Sequence, residues 1–349
     1  MNQEKYLFWV DAVKAICMLF VFFAHAELYT GYTIQPVDYF FRTFYVNGFF
    51  FVTGYLLFRK QLSIPFISQS GKEWLSNTGG GSLLINNVLY KLAIPSIIFS
   101  FINFFPKKIV RGEPISVLDL LADTLGGCSL WFTCCLTIVE VLVFLMLISR
   151  SRNIWAYFFC SSLLAVLGVV LLKLDLPALI NSNFPWFYKR GLLAIVFVVF
   201  GGVYWKYESF IDKVLRWYVI IILFVLYLVV EYMIPEIALC LVSMEQLNLL
   251  GVIVSVIGSL LLVWTCKRIP DNRWLSFIGK KSIVFYFFSG ACPIMLCAVL
   301  GRMMNVCGIM GVLIVFILSV LLGSLLAHLI TKYLPFLLDL RKLKSSNDR

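Results

Sequence analysis

Ten runs of about 20 mostly apolar residues, separated by short polar connectors, govern what this chain can fold into. They lie near 6–29, 39–58, 84–105, 130–148, 154–172, 190–206, 216–234, 247–266, 281–301 and 309–331. A helix of that length crosses hydrocarbon with its backbone N–H and C=O groups bonded internally. The expected fold is therefore all-α and polytopic, with about ten transmembrane helices. Composition agrees: 61% of the residues are hydrophobic and 13% charged, whereas a soluble domain is about one quarter charged. Connectors such as "SRSRN" and "KYESFIDK" are too short for a soluble domain, so residues 1–349 read as a single membrane-embedded domain. The opening "MNQEKYLFW" leads into a segment too long for a signal-peptide core, and reads as the start of the first span.

Lysine and arginine set the orientation. With the N-terminus inside, the inner segments hold most of the 29, including Arg59, Lys60, Arg150, Arg152, Lys267, Arg268, Lys280 and Lys281. The outer segments hold fewer, among them Arg42, Lys107, Lys108, Arg111, Lys189 and Arg190. Both termini are therefore expected in the cytoplasm. A basic inner face against anionic headgroups accounts for the net charge of +11, with no nucleic-acid partner required. The ten cysteines lie mostly in apolar runs (Cys17, Cys160, Cys240, Cys266, Cys297) with no CxxC pair, so they read as small buried apolar residues and no metal site is expected.

The first span, "DAVKAICMLFVFFAH", carries groups that hydrocarbon solvates poorly. Lys14 and His25 are eleven residues apart, which on a helix puts them within about 20° of one face and about 16 Å apart along the axis. Asp11 falls within about 40° of the same line, and Glu27 lies beyond, near the outer headgroups. Two readings compete. Asp11 and Lys14 can form an i,i+3 pair with Lys14 snorkelling to water, and His25 can bond a neighbouring helix. Alternatively, the three line a polar path, since an ionisable residue inside a span marks a functional site by default, and a neutral imidazole suits proton abstraction near pH 7. His328, near the inner end of the last span, reads as a structural histidine. Glu140 and Glu231 also fall within spans, and either is a candidate to face the same cavity as His25.

A basic residue, ten further residues and a histidine in the first span resembles the signature of acyltransferase family 3. Other stretches follow in order: "NGFFFVTGYLLF" (47–58), with Thr53 where serine is usual; "LYKLAIPSIIFSF", with Lys91 four residues before Pro95; "CSLWFTCCLTIVEVLVF"; and "WLSFIGKKSIVFYFFSG". The chain departs from the pattern twice. Val88 stands where many members carry the first arginine of a pair, and Ser289 stands where many carry a histidine. "GKKS" (279–282) is not a phosphate loop, since a Walker A glycine would be needed at 274, which is Trp274. Gly54 reads as a close-packing residue, Trp131 and Phe132 as an interfacial belt, and the glycines at 79–81 as linker.

The resemblance implies a bacterial inner-membrane enzyme that transfers acyl groups, commonly acetyl, from cytoplasmic acyl-CoA to a hydroxyl of an exported or surface polysaccharide. No tightly bound cofactor is implied; acetyl-CoA is a substrate. His25 is then the expected general base or, in a covalent variant, the acyl carrier. Lys14 is expected to attract the anionic donor, with Asp11 and Lys91 supporting. Glu27, Trp186 and Tyr188 are expected on the acceptor side, where aromatic rings could stack on a sugar. The rival reading is a proton-coupled transporter or flippase of a small sugar or lipid-linked glycan, which would also use a buried stripe of Asp, Lys and His.

Overall fold

The computed structural model describes residues 6–62, 84–127, 129–148, 153–173, 186–234, 249–303, 308–339 and 341. The glycine run 79–81, Cys240, Arg150 and Arg152 lie outside these. Every regular element among the described residues is helical. In chain order they are α1 (Phe8–Thr30), α2 (Gln35–Phe41), α3 (Tyr45–Leu62), a π-helical segment (Leu84–Ala93), α4 (Ile94–Arg111), α5 (Val117–Thr124), α6 (Trp131–Ile148), α7 (Ile154–Lys173) and α8 (Tyr188–Lys206). Then follow α9 (Glu208–Val214), α10 (Trp217–Met233), α11 (Leu249–Cys266), α12 (Arg273–Lys280), α13 (Ser282–Ser289), α14 (Ala291–Met303), α15 (Gly308–Tyr333) and a 3-10 turn (Pro335–Leu337).

Five stretches are long and apolar enough to cross a bilayer: Phe8–Thr30, Val88–Arg111, Ile154–Leu171, Tyr188–Lys206 and Gly308–Tyr333. The number rises to seven if each of two bent pairs is one span: α9 with α10, bent by 83°, and α13 with α14, bent by 43° next to Gly290. The expected span 39–58 is not one helix. It breaks at residues 42–44, between α2 and α3.

The chain divides into two compact units, Met1–Phe58 with Phe200–Leu321 and Arg59–Val199 with Leu322–Arg349. In the first, α1 is the hub, packing against α11, α12, α13 and α14. It runs unbroken for 23 residues to Gly31, whose φ of 68° supplies the left-handed cap. Two places show how closely these helices meet. A Cβ on Gly201 of α8 would enter the Phe51 carbonyl oxygen, and one on Gly279 of α12 would enter that of Asp11. Phe22 meets Phe285 edge-on at 6.1 Å, and Phe41 stacks on Phe20 at 4.6 Å.

At one end of this unit a single ammonium ties α11 to α9. Lys267 Nζ lies 2.7 Å from both Glu208 Oε1 and Asp212 Oδ2, and sits over the rings of Trp9 and Tyr204. Tyr55 and Tyr204 donate to the remaining oxygens, at 2.8 Å to Glu208 and 2.7 Å to Asp212. Removing the ammonium leaves two carboxylates repelling each other over an aromatic floor. Lys267→Ala is expected to cost about 1–3 kcal/mol, read as a lower midpoint of thermal unfolding in detergent. An unchanged midpoint would show the cluster to be ornamental.

In the second unit the π-helical segment packs on α4 and α6, and α4 packs on α5. Pro95 explains the wide turn. An α-helix through it would ask Pro95 for an N–H to the Lys91 carbonyl and would push its ring into that oxygen. Bonding from i to i+5 relieves both demands, and the Ser96 hydroxyl donates to Leu92 O at 2.7 Å. Gly112, with φ of 65°, closes α4. Ser116 caps α5 by accepting from Asp119 N–H at 3.0 Å, and the Asp119 carboxyl, bonded by Lys108 Nζ at 2.9 Å, is held below the usual carboxylate range.

Candidate functional site

Because α1 is continuous, Lys14, Met18, Val21 and His25 share one face, with Asp11 one turn below Lys14. At the lower end the charges are paired. Lys14 Nζ lies 2.8 Å from Asp11 Oδ1, the i,i+3 contact that the spacing allows. Asp11, 5% exposed, accepts on its other oxygen from the Tyr6 hydroxyl at 2.9 Å. Tyr6 is in turn 2.7 Å from Ser276 Oγ on α12, and Lys280 of α12 sits over the Tyr6 ring at 4.3 Å. Asp11 is thus pinned by its backbone against Gly279 and by its side chain through Tyr6, and it holds the half-buried Lys14 ammonium in one place.

At the upper end the structure assigns the two imidazole nitrogens different work. His25 Nδ1 is 2.9 Å from the Val21 carbonyl, which can only accept, so Nδ1 carries the proton. In the neutral ring the basic lone pair is then on Nε2. The ring lies nearly parallel to that of Tyr29, 14° apart with centroids at 6.2 Å, one helical turn on. The Val21 bond sets the direction in which Nε2 points.

Glu27, 4% exposed, accepts from the Ile34 N–H at 2.6 Å and closes the turn between α1 and α2. Glu231 is completely buried on α10. It accepts from Thr43 Oγ1 at 2.5 Å, with Arg42 Nε 3.8 Å from its other oxygen. Tyr227 joins this group, 2.8 Å from Thr43 Oγ1 and donating to Phe40 O at 2.6 Å. Asp38 nearby has its carboxyl pushed up by burial, with Arg42 opposing. The sequence marks Glu231 as a candidate and Arg42 only as an outer basic residue, and it does not single out Thr43. Their signal was polar residues clustered at the start of an otherwise aromatic run.

In the other unit, Lys91 is exposed on the π-helical segment and interacts electrostatically with Glu140 of α6. Trp186 and Phe187 both take positive φ, 55° and 53°, a conformation that large side chains adopt only under constraint. The constraint is visible: Trp186 donates its backbone N–H to Gly126 O at 3.0 Å and its indole N–H to Leu125 O at 2.6 Å. Arg190 lies over Trp131 at 4.9 Å and over Phe187 at 5.1 Å. Trp186 and the half-buried Tyr188 therefore belong to an aromatic–cationic corner at the start of α8. His328 is exposed on α15, Gly54 is buried within α3, and Ser289 donates to Tyr286 O at 2.8 Å.

The unit boundaries separate the sequence-predicted residues. Asp11, Lys14, His25 and Glu27 are on α1, whereas Lys91, Trp186 and Tyr188 belong to the second unit. Among the described residues, no three His, Cys, Asp or Glu side chains are grouped to hold a metal ion. In comparisons with known proteins, a family model described as an acyltransferase domain, Acyl_transf_3, matches residues 7–328, nearly the whole chain. No curated protein and no solved structure matches it.

Proposed function

The chain belongs to acyltransferase family 3, and on that premise we propose that it is a membrane O-acyltransferase, most simply an O-acetyltransferase. It moves an acyl group from cytoplasmic acyl-CoA to a hydroxyl of an exported or surface polysaccharide in the bacterial inner membrane. The observation that supports this most is the imidazole of His25, held on α1 by its Nδ1 contact with Val21 O at 2.9 Å; in this reading Nε2 is the base. Nε2 takes the proton of the acceptor hydroxyl as that oxygen attacks the thioester carbonyl. The tetrahedral intermediate then expels the CoA thiolate, which receives the proton.

Lys14 serves the donor. Its ammonium, anchored by Asp11, presents a fixed positive charge to the phosphorylated handle of acyl-CoA. Lys91 is proposed as a donor-side residue and Glu27, Trp186 and Tyr188 as acceptor-side residues, each taken within its own unit. In this reading α3, α6 and α11, each 18 residues long, join the five long spans and the two bent pairs to give ten crossings with both termini inside. Lys14→Arg is expected to keep most activity and Lys14→Ala to lose about tenfold, as one charge contact worth about 1.4 kcal/mol would give. Initial rates with labelled acyl-CoA measure this. Equal activity of the two variants would reduce Lys14 to a snorkelling residue.

The bend of 43° between α13 and α14 favours one other reading, transport through a discontinuous helix. Membranes incubated with radiolabelled acyl-CoA and a glycan acceptor separate the two. An acyltransferase yields labelled glycan; a transporter yields glycan counterflow and no covalent label.

A further inference from the structure

The π-helical segment has a neighbour from the far end of the chain. Arg341, just beyond the 3-10 turn, donates from Nη1 to Asn86 Oδ1 at 2.5 Å, and its guanidinium sits 5.6 Å from the centre of the Tyr90 ring. The rest of its fork grips a carboxylate: Nε is 2.7 Å from Asp339 Oδ1 and Nη2 is 2.5 Å from Asp339 Oδ2. Asp339 itself is 8% exposed, while Lys91 and Arg341 are exposed.

Helix geometry brings Lys91 to the same place. In an α-helix, residues five apart point about 140° away from each other. Bonding from i to i+5 instead sets Lys91 about one turn beyond Asn86, the residue that Arg341 bonds. The hydrogen bonds of the Arg341 fork hold the Asp339 carboxyl below the usual carboxylate range, with the positive charge of Lys91 a smaller contribution in the same direction. One carboxylate is thus held in a bidentate fork within the field of a second cation. A phosphate group offers the fork the same pair of oxygens with more charge.

We propose that Arg341, Lys91, Asn86 and Tyr90 form a phosphate-binding site, occupied in this conformation by the Asp339 carboxylate, which a phosphorylated ligand displaces. On binding, a phosphate oxygen pair replaces Asp339 Oδ1 and Oδ2 on the Arg341 fork, Lys91 neutralises the remaining charge, and Tyr90 gives a flat surface beside it. Asp339 acts as a resident competitor that sets how tightly a ligand must bind to open the site. Two phosphates are within reach of a membrane protein, that of the acyl-CoA handle and that of an anionic lipid headgroup. The first source rests on the acyl-CoA reading above, and the second does not.

The test uses the full chain purified in detergent, with equilibrium binding of coenzyme A and of adenosine 3′,5′-bisphosphate, and thermal shift with added phosphatidylglycerol. Arg341→Gln and Lys91→Gln are expected to weaken coenzyme A and the bisphosphate about tenfold each. Asp339→Asn is expected to tighten both several-fold, a gain that mere damage to the fold would not give. If nucleotide binding is indifferent to these variants but the shift given by phosphatidylglycerol disappears in Arg341→Gln, the phosphate is a lipid's. If folded Arg341→Gln and Lys91→Gln respond to all three probes as the wild type does, the site does not exist. His25→Ala leaves these binding measurements unchanged, so failure here and failure of the acyl-transfer reading are told apart.

Discussion

His25→Ala is expected to abolish glycan acylation and to leave the amount of inserted protein unchanged. The expected loss is at least about 10²–10⁴-fold, the usual worth of a positioned general base, and larger if the imidazole also carries the acyl group. Little stability should go with it. The side chain is half-buried, bonded to Val21 O and stacked beside Tyr29. The Val21 carbonyl keeps its place in the α1 ladder, so no buried acceptor is orphaned. His25→Gln separates chemistry from packing, because an amide can bond Val21 O but offers no basic nitrogen. It should be as inactive as alanine, while both variants still bind coenzyme A. Acylation by either variant at the wild-type rate, measured with labelled donor in membranes, would remove His25 from the chemistry.

Much of what places this histidine was legible in the sequence, for a physical reason. An unbroken apolar run has one conformation open to it in hydrocarbon, so counting eleven residues from Lys14 to His25 was enough to set their angle and separation. The same reasoning fails where tertiary contacts choose among local options. The span expected at 39–58 breaks at 42–44 because Thr43 and Arg42 turn toward Glu231, a partner nearly 190 residues away that no local pattern reveals. The π-helical turn at Lys91 follows from Pro95, which predicts a disturbance of the helix but not its kind. The tautomer of His25 was likewise beyond reach, since it depends on a rotamer and not on the order of residues.

Gly279→Ala should be strongly damaging for a single added methyl, and it explains a motif that is not a phosphate loop. The added Cβ would overlap the carbonyl oxygen, carbonyl carbon and Cα of Asp11. All three are backbone atoms of the hub helix, so nothing flexible can swing aside and α12 must move bodily away from α1. Overpacking of this kind costs about 3 kcal/mol, the upper end of the usual range, and should appear as a large fall in the midpoint of thermal unfolding. The displacement would also carry Ser276 away from Tyr6, loosen Asp11 and free Lys14, so donor affinity should fall in whatever fraction still folds. Gly301→Ala is the control. It also lies in a helix, but a Cβ there meets nothing within 4 Å among the described residues, and alanine in place of a helical glycine is worth about 0.5–1 kcal/mol in favour of folding. Opposite signs for the two substitutions would establish that the glycine of "GKKS" is there so that two backbones can touch. Equal midpoints for Gly279→Ala and the wild type would mean that α12 does not rest on Asp11, and Lys14 would lose the support that fixes its charge.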